Sequence, residues 1–131
     1  CMEAEEILTR IRVPEMANRT GMAFLKVGRV AQDIAVVNAA ALLVMDKKKC
    51  RECRLAVGAV APVPLRLKNV EKLLAGEEIG PELLDRAREM VEQEVSPIND
   101  VRSTEEYRRI MSGVLIKRAI LQALRNAEGV E

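Results

Sequence analysis

Histidine is absent from this 131-residue chain, and so is tryptophan; phenylalanine and tyrosine occur once each, as Phe24 and Tyr107. Without histidine there is no Ser–His or Cys–His nucleophile pair, no His-ligated metal site and no imidazole base. The three serines, Ser96, Ser103 and Ser112, have no base beside them in the sequence. So few aromatics exclude a base-stacking platform for single-stranded nucleic acid and force an aliphatic core. Acids and bases nearly cancel, at a formal net charge of +1, so no electrostatic footprint for DNA or RNA appears. No apolar run is long enough to cross a bilayer, and the longest is interrupted by Asn38. The acidic start, Cys1-Met2-Glu3-Ala4-Glu5-Glu6, does not have the pattern of a secretion signal, so a soluble, cytoplasmic protein is expected. Neither a Gly-x-Gly-x-x-Gly fingerprint nor a Walker motif is present, which leaves no evident phosphate cradle.

What is present centres on residues 34–61. Two apolar runs, 34–45 and 53–61, flank a basic link, 46–52. In the second run Cys53, Leu55, Val57 and Ala59 alternate with Arg54, Ala56, Gly58 and Val60, the period of a strand with one face more buried. The first run suits a strand buried on both faces or a buried helix. The short polar link favours an antiparallel hairpin at the centre of a sheet. Residues 5–13 also alternate, Ile7, Thr9, Ile11 and Val13 against Glu6, Leu8, Arg10 and Arg12, which predicts a further strand ended by Pro14. Turn chemistry at 15–21, a short strand at 22–27 and a loop at 28–32 follow, and Pro62 and Pro64 stop the second arm of the hairpin.

From Asn69 the period becomes helical. Asn69 is placed to cap a short helix through Ala75, closed by Gly76. Gly80-Pro81 opens a second helix that buries Leu83, Leu84, Ala87, Met90 and Val91, and Ser96-Pro97 ends it. A third starts at Ser103, with Glu106 completing a capping box, and carries Tyr107, Ile110, Met111, Val114 and Leu115 on one face. Ile116, Ile120 and Leu124 widen that apolar surface beyond what a surface helix needs, which points to a partner, a second copy of the chain included. Strands over about 5–61 followed by helices over about 69–126 predict one α+β domain spanning 1–131: an antiparallel sheet of three to four strands followed by three helices packed on one face.

Three groups of residues carry possible chemistry. Cys50-Arg51-Glu52-Cys53 has the spacing of two metal ligands or a redox dithiol, but a zinc site needs a second pair and only Cys1 remains; an incidental hairpin pair is the simpler reading. Lys47-Lys48-Lys49, flanked by Asp46 and Glu52, reads as a solvated turn. The segment from Phe24 through Lys26, Gly28 and Arg29 to Asp33 sets two cations and a carboxylate around a loop between two strands, where function commonly sits. Its plainer alternative is a salt-bridged connection between Arg29 and Asp33.

Those residues also carry a resemblance. Ala23-Phe24-Leu25-Lys26-Val27-Gly28-Arg29 leading to Asp33-Ile34-Ala35-Val36-Val37-Asn38 resembles the start of the C-terminal domain of the FAD-carrying medium subunit of molybdenum hydroxylases, the family of xanthine dehydrogenase and aerobic carbon monoxide dehydrogenase. The similarity continues from Arg54 to Arg66, at Leu74-Ala75-Gly76 and from Pro97 to Arg109. It implies electron transfer through FAD beside molybdenum and iron–sulfur subunits, with Lys26, Gly28, Arg29 and Asp33 near the isoalloxazine ring. A lysine there would stabilise negative charge on the reduced ring, and Asp33 would orient or oppose it. In such enzymes a larger preceding domain holds most of the FAD, so this chain alone is expected to bind FAD weakly or not at all, and to act by docking on an FAD-binding partner. The alternative is a stand-alone interaction module that uses the last helix.

Overall fold

The computed structural model describes residues 5–13 and 15–129; Cys1 and the stop expected at Pro14 lie outside the described residues. Four strands, β1 (Thr20–Val27), β2 (Val37–Asp46), β3 (Lys49–Gly58) and β4 (Leu65–Arg66), pair antiparallel in sequence order. Three helices follow, α1 (Lys68–Leu74), α2 (Pro81–Glu94) and α3 (Glu105–Glu128). The α+β class, the strand count and the three helices agree with the sequence pattern. α3 lies across β1 and β2, α1 packs on β3, and α2 fills the outer layer against both helices.

The central hairpin turns more tightly than its composition implies. Asp46 pairs with Lys49 across a two-residue turn, Lys47-Lys48, in which Lys47 takes a φ of 54°. Residues 49–52, expected in the link, therefore belong to β3. A bulge between Val44 and Met45 shifts the register from Val44↔Glu52 to Met45↔Cys50 and leaves Arg51 without an opposite. The extra residue turns Cys50 and Cys53 to the same buried side. At the other end of β3 the alternation fails. Ala59 adopts a φ of 65°, so Ala59 is exposed and Val60 fully buried, the reverse of the sequence expectation.

Other expectations are corrected. Residues 5–13 form no strand, because no other strand among the described residues pairs with them. β4 was hidden in the proline-flanked exit, too short to show a period. Asn69 lies inside α1, which begins from Leu67 without a side-chain cap. The cap of α3 is Thr104, whose hydroxyl accepts from the Tyr107 N–H at 3.2 Å, one residue beyond Ser103. The buried face of α3 runs through Arg108, Ser112, Ile116, Ala119, Ile120 and Ala123, while Tyr107 and Ile110 are exposed. The wide apolar surface of α3 is thus consumed by the sheet and α2 and leaves no broad face for a partner.

The helix face of the sheet is built from Leu25, Val37, Ala39, Ala41, Leu43, Leu55 and Val57. Small residues set its spacing. A Cβ on Gly21 would lie 1.9 Å from the Ala123 carbonyl oxygen and 2.4 Å from the Ala127 nitrogen, both backbone atoms. No rotamer relieves such an overlap, so α3 would have to move. Gly21→Ala is expected to destabilise the fold by about 3 kcal/mol, the upper end for an overpacked site, read as a lower urea midpoint with an unchanged m-value.

Candidate functional site: a clamped cationic loop beside an open sheet face

β1 ends at Val27, and the chain returns to start β2 at Val37. The Val36 N–H donates to the Val27 carbonyl at 2.7 Å, and inside the excursion the Asp33 N–H donates to Val30 at 3.1 Å. Lys26, at the end of β1, folds its ammonium into this loop and donates to the carbonyls of Ala31 and Asp33, both at 2.9 Å. Arg29 Nε donates to Asp33 Oδ2 at 2.7 Å, and the Ile34 N–H donates to Asp33 Oδ1 at 2.8 Å. The hydrogen bond from Arg29, then that from Ile34, holds the Asp33 carboxyl below the usual range, and the same pairing raises Arg29. Gly28 sits where a Cβ would meet the Val30 carbonyl at 3.1 Å, so the loop folds closely over it. The four predicted residues are therefore brought together. Asp33 offers its carboxylate to Arg29 and only its backbone to Lys26. Among the described residues no carboxylate forms an ion pair with Lys26, so its charge is the net charge of the loop. A shallow depression bordered by Arg29, Val30, Gln32 and Asp33 opens beside it.

The loop is held from below by a side chain of the groups Asp100-Val101-Arg102 and Tyr107-Arg108-Arg109, which the sequence suggests as a structural polar network rather than a catalytic one. Arg108, 2% exposed, donates from Nη1 to the Val36 carbonyl at 2.7 Å and to the Ala59 carbonyl at 2.9 Å. Its Nη2 stands 2.8 Å from Asp100 Oδ2. Asp100 also takes the Arg102 side chain at 2.7 Å and the N–H groups of Arg102 and Ser103 at 2.9 and 3.1 Å. Arg109 donates to the carbonyls of Glu92 and Val95 at 3.0 and 2.8 Å and ties the end of α2 to α3. The 97–109 segment thus positions the end of the loop and the irregular exit of β3. The signal was an arginine at a position where helix periodicity calls for an apolar residue.

On the other side of the sheet no helix packs among the described residues. Met22, Phe24, Ala40, Leu42 and Ala56 form an apolar surface there, with Arg54 and Arg66 at its border, around an open hollow of about 470 Å³. Phe24 is 64% exposed and Met22 50% exposed. Lys26 follows on the same side, paired across to Asn38 and Gly58, so the apolar face runs up to the cationic loop.

Cys50 and Cys53 are free and buried, their thiols directed to the carbonyls of Glu52 and Glu71. Hydrogen bonding to Cys50, together with burial, pushes the Cys53 thiol up, away from the reactive thiolate. Among the described residues no cluster of three or more His, Cys, Asp or Glu side chains is arranged to hold a metal ion. Lys47 and Lys48 occupy the exposed hairpin turn.

The Asp100 carboxyl is held far below the usual range, first by the Arg102 side chain and then by the Arg102 N–H. Asp33 and Asp100 bind protons less readily folded than unfolded, so the unfolded chain takes up more protons as pH falls. Their stabilisation is complete above the unfolded aspartate value of ~4 and is lost as pH falls through the lower folded values. The melting temperature is expected to drop below about pH 4, and Asp100→Asn to flatten this acid limb while lowering the neutral-pH value. Arg108→Met removes the buried guanidinium and strands two carbonyls. Its expected cost is about 3 kcal/mol by denaturant unfolding, with faster amide exchange at Val36.

Residues 22–123 match the family described as the CO dehydrogenase flavoprotein C-terminal domain. The chain is 34% identical over 127 residues to the carbon monoxide dehydrogenase medium chain of Afipia carboxidovorans, covering 97% of this chain and 44% of that one. It is 30% identical over 130 residues to the xanthine dehydrogenase FAD-binding subunit of Escherichia coli O157:H7, covering 98% and 44%. Carbon monoxide dehydrogenase from Hydrogenophaga pseudoflava superposes with a TM-score of 0.84 at 29% identity, over 87% of this chain and 40% of that one. The chain thus spans less than half the length of the relatives that it matches. With its fold, its loop and its sequence in agreement, the chain belongs to the family of CO dehydrogenase flavoprotein C-terminal domains.

Proposed function

We propose that this domain covers the isoalloxazine ring of an FAD held mainly by a neighbouring domain, within a molybdenum hydroxylase-type oxidoreductase of the cytoplasm. The observation that carries the reading is the clamped loop, with one net positive charge, at the margin of an open apolar sheet face. The residues fit part of an FAD and not all of it. Phe24, Met22 and Ala40 offer an apolar platform, and Lys26 and Arg29 offer cationic donors beside it, as a planar heterocycle with an electron-rich edge requires. Nothing in the sequence offers a glycine-rich cradle for a pyrophosphate. The grip on the nucleotide half therefore comes from elsewhere, in keeping with relatives more than twice as long.

FAD, when bound, supplies the redox chemistry, taking electrons that originate at molybdenum and pass through iron–sulfur subunits, and handing them to an acceptor. The residues of this chain set its surroundings. Lys26 keeps a positive charge close to the loop surface and favours the reduced, more negative ring. The Arg29–Asp33 pair adds little net field and fixes the loop shape. The apolar face keeps water from that side. The stand-alone interaction module has lost its support, because the α3 surface on which it rested is buried.

In the assembled flavoprotein, Lys26→Ala is expected to lower the flavin midpoint potential by on the order of 30 mV, about 1.4 kcal/mol over two electrons, and to slow flavin reduction. Lys26→Arg is expected to restore most of the shift, and potentiometric titration of the three proteins checks both. An unchanged potential in Lys26→Ala would remove the cationic role. The isolated chain is expected to be colourless after gel filtration with excess FAD, and a stoichiometric flavin spectrum would contradict the division of labour.

A further inference from the structure

We propose that Cys50 and Cys53 form a two-coordinate site for a soft monovalent cation, copper(I), near the turn of the central hairpin. The pair lies on the helix side of β3, away from the open face, so it neither needs nor tests the flavin reading. In a regular strand, residues three apart point to opposite faces. Here the bulge at Val44 and Met45 absorbs Arg51, so Cys50 lies opposite Met45 and Cys53 opposite Leu43, two residues apart on β2. Both cysteines therefore enter the core from one side, at 0% and 6% exposure, and both are free thiols. The two thiols are within hydrogen-bonding reach of each other.

The spacing decides what can join them. Two steps along a strand set the Cα atoms about 6.7 Å apart, at the outer limit of what a disulfide spans. A bridging ion relaxes that limit, because two metal–thiolate bonds of about 2.3 Å each cross a sulfur–sulfur gap of up to ~4.6 Å. The ligand number selects the ion. Among the described residues no third His, Cys, Asp or Glu completes a metal cluster. Two thiolates are too few for zinc in a closed site, which takes four ligands, and enough for copper(I), which soft sulfur ligands select. The surroundings agree in charge. Two thiolates around a monovalent ion leave one net negative charge. Cys53 borders a shallow hollow with Arg51, Lys68 and Lys72, where Glu52 and Glu71 are already paired with Arg54 and Arg66. That rim offsets the charge of the complex and gives the ion its way in. The hydrogen bond to Cys50, then burial, pushes the Cys53 thiol up, so the ion must displace both protons and its affinity rises with pH.

The test titrates the reduced chain, under argon, with copper(I) presented as its bicinchoninate complex. The chain is expected to withdraw one copper(I) per molecule and to remain a monomer in sedimentation. X-ray absorption is expected to show two sulfur neighbours and no nitrogen or oxygen. Affinity is expected to rise by about 100-fold per pH unit while both thiols are protonated, because two protons leave for each ion bound. Cys50→Ser and Cys53→Ser are each expected to abolish the withdrawal of copper, and Cys1→Ser to leave it unchanged. If a serine variant does not fold, the proton count and the X-ray absorption of the unaltered chain decide. A chain that takes no copper from the chelator would overturn the proposal. So would undiminished uptake by folded Cys50→Ser, loss of uptake in Cys1→Ser, or one copper shared between two chains.

Discussion

The structure depends on how closely α3 lies on β1. At Gly21 the helix backbone occupies the space where a side chain would begin, and Ala39 and Ala41 on β2 with Ala119 and Ala123 on α3 continue the contact in small residues. A core without large aromatics fills its volume by bringing backbones together and placing Leu43, Leu55, Ile116 and Ile120 around the point of approach. One consequence is asymmetry. With α3 spread over β1 and β2, and α1 over β3, the helices pack on one face. Among the described residues no helix lies on the other face, and Phe24 and Met22 stay at its surface.

The same helix carries the link between packing and site. Arg108 is a charged residue in an apolar layer, a placement that only dense pairing makes tolerable. Its partners are two carbonyls at which the regular sheet has just ended, Val36 before β2 and Ala59 after β3, and the carboxylate of Asp100. Those carbonyls have no ladder partner, so the guanidinium satisfies what the sheet cannot. The loop from Gly28 to Val36 is thereby tied to the most rigid element of the fold. An irregular segment fixed from below can hold a side chain such as Lys26 at a constant height above the sheet.

Much of this was legible in the sequence, for physical reasons that differ by element. The β2–β3 hairpin showed itself because the second arm alternates and a short polar link joins it to the apolar first arm, and α2 because Pro81 and five spaced apolar residues agree on one face. The errors fall where a local rule meets a tertiary one. Residues 5–13 have a strand pattern without a strand to pair with, and pattern alone says nothing of partners. Ala59 breaks the alternation through a positive φ that no sequence period encodes. On α3 the expected face included Tyr107 and Ile110, which are exposed, while Arg108 and Ser112 are buried with hydrogen bonds to backbone carbonyls. For the site, the grouping of Lys26, Gly28, Arg29 and Asp33 was visible as charges around a loop. Which carboxylate meets which cation was not, because that depends on the chain reversal between β1 and β2.

That pairing decides what the loop can do electrostatically. Had Asp33 met Lys26, the group nearest the sheet would be a neutral pair, and Arg29, 62% exposed at the rim, would carry the free charge where water screens it best. The observed arrangement is the opposite. Asp33 is spent on the outer arginine, and Lys26 is held by the carbonyls of Ala31 and Asp33, dipoles that fix an ammonium without cancelling its charge. The uncompensated cation therefore stands at the inner edge, next to the apolar face formed by Phe24 and its neighbours. Once that face is covered and water is expelled, the effective dielectric falls and the field of one lysine strengthens several-fold. The charge and the surface are thus parts of one device, with the cation gaining its strength only when the sheet beside it is closed over.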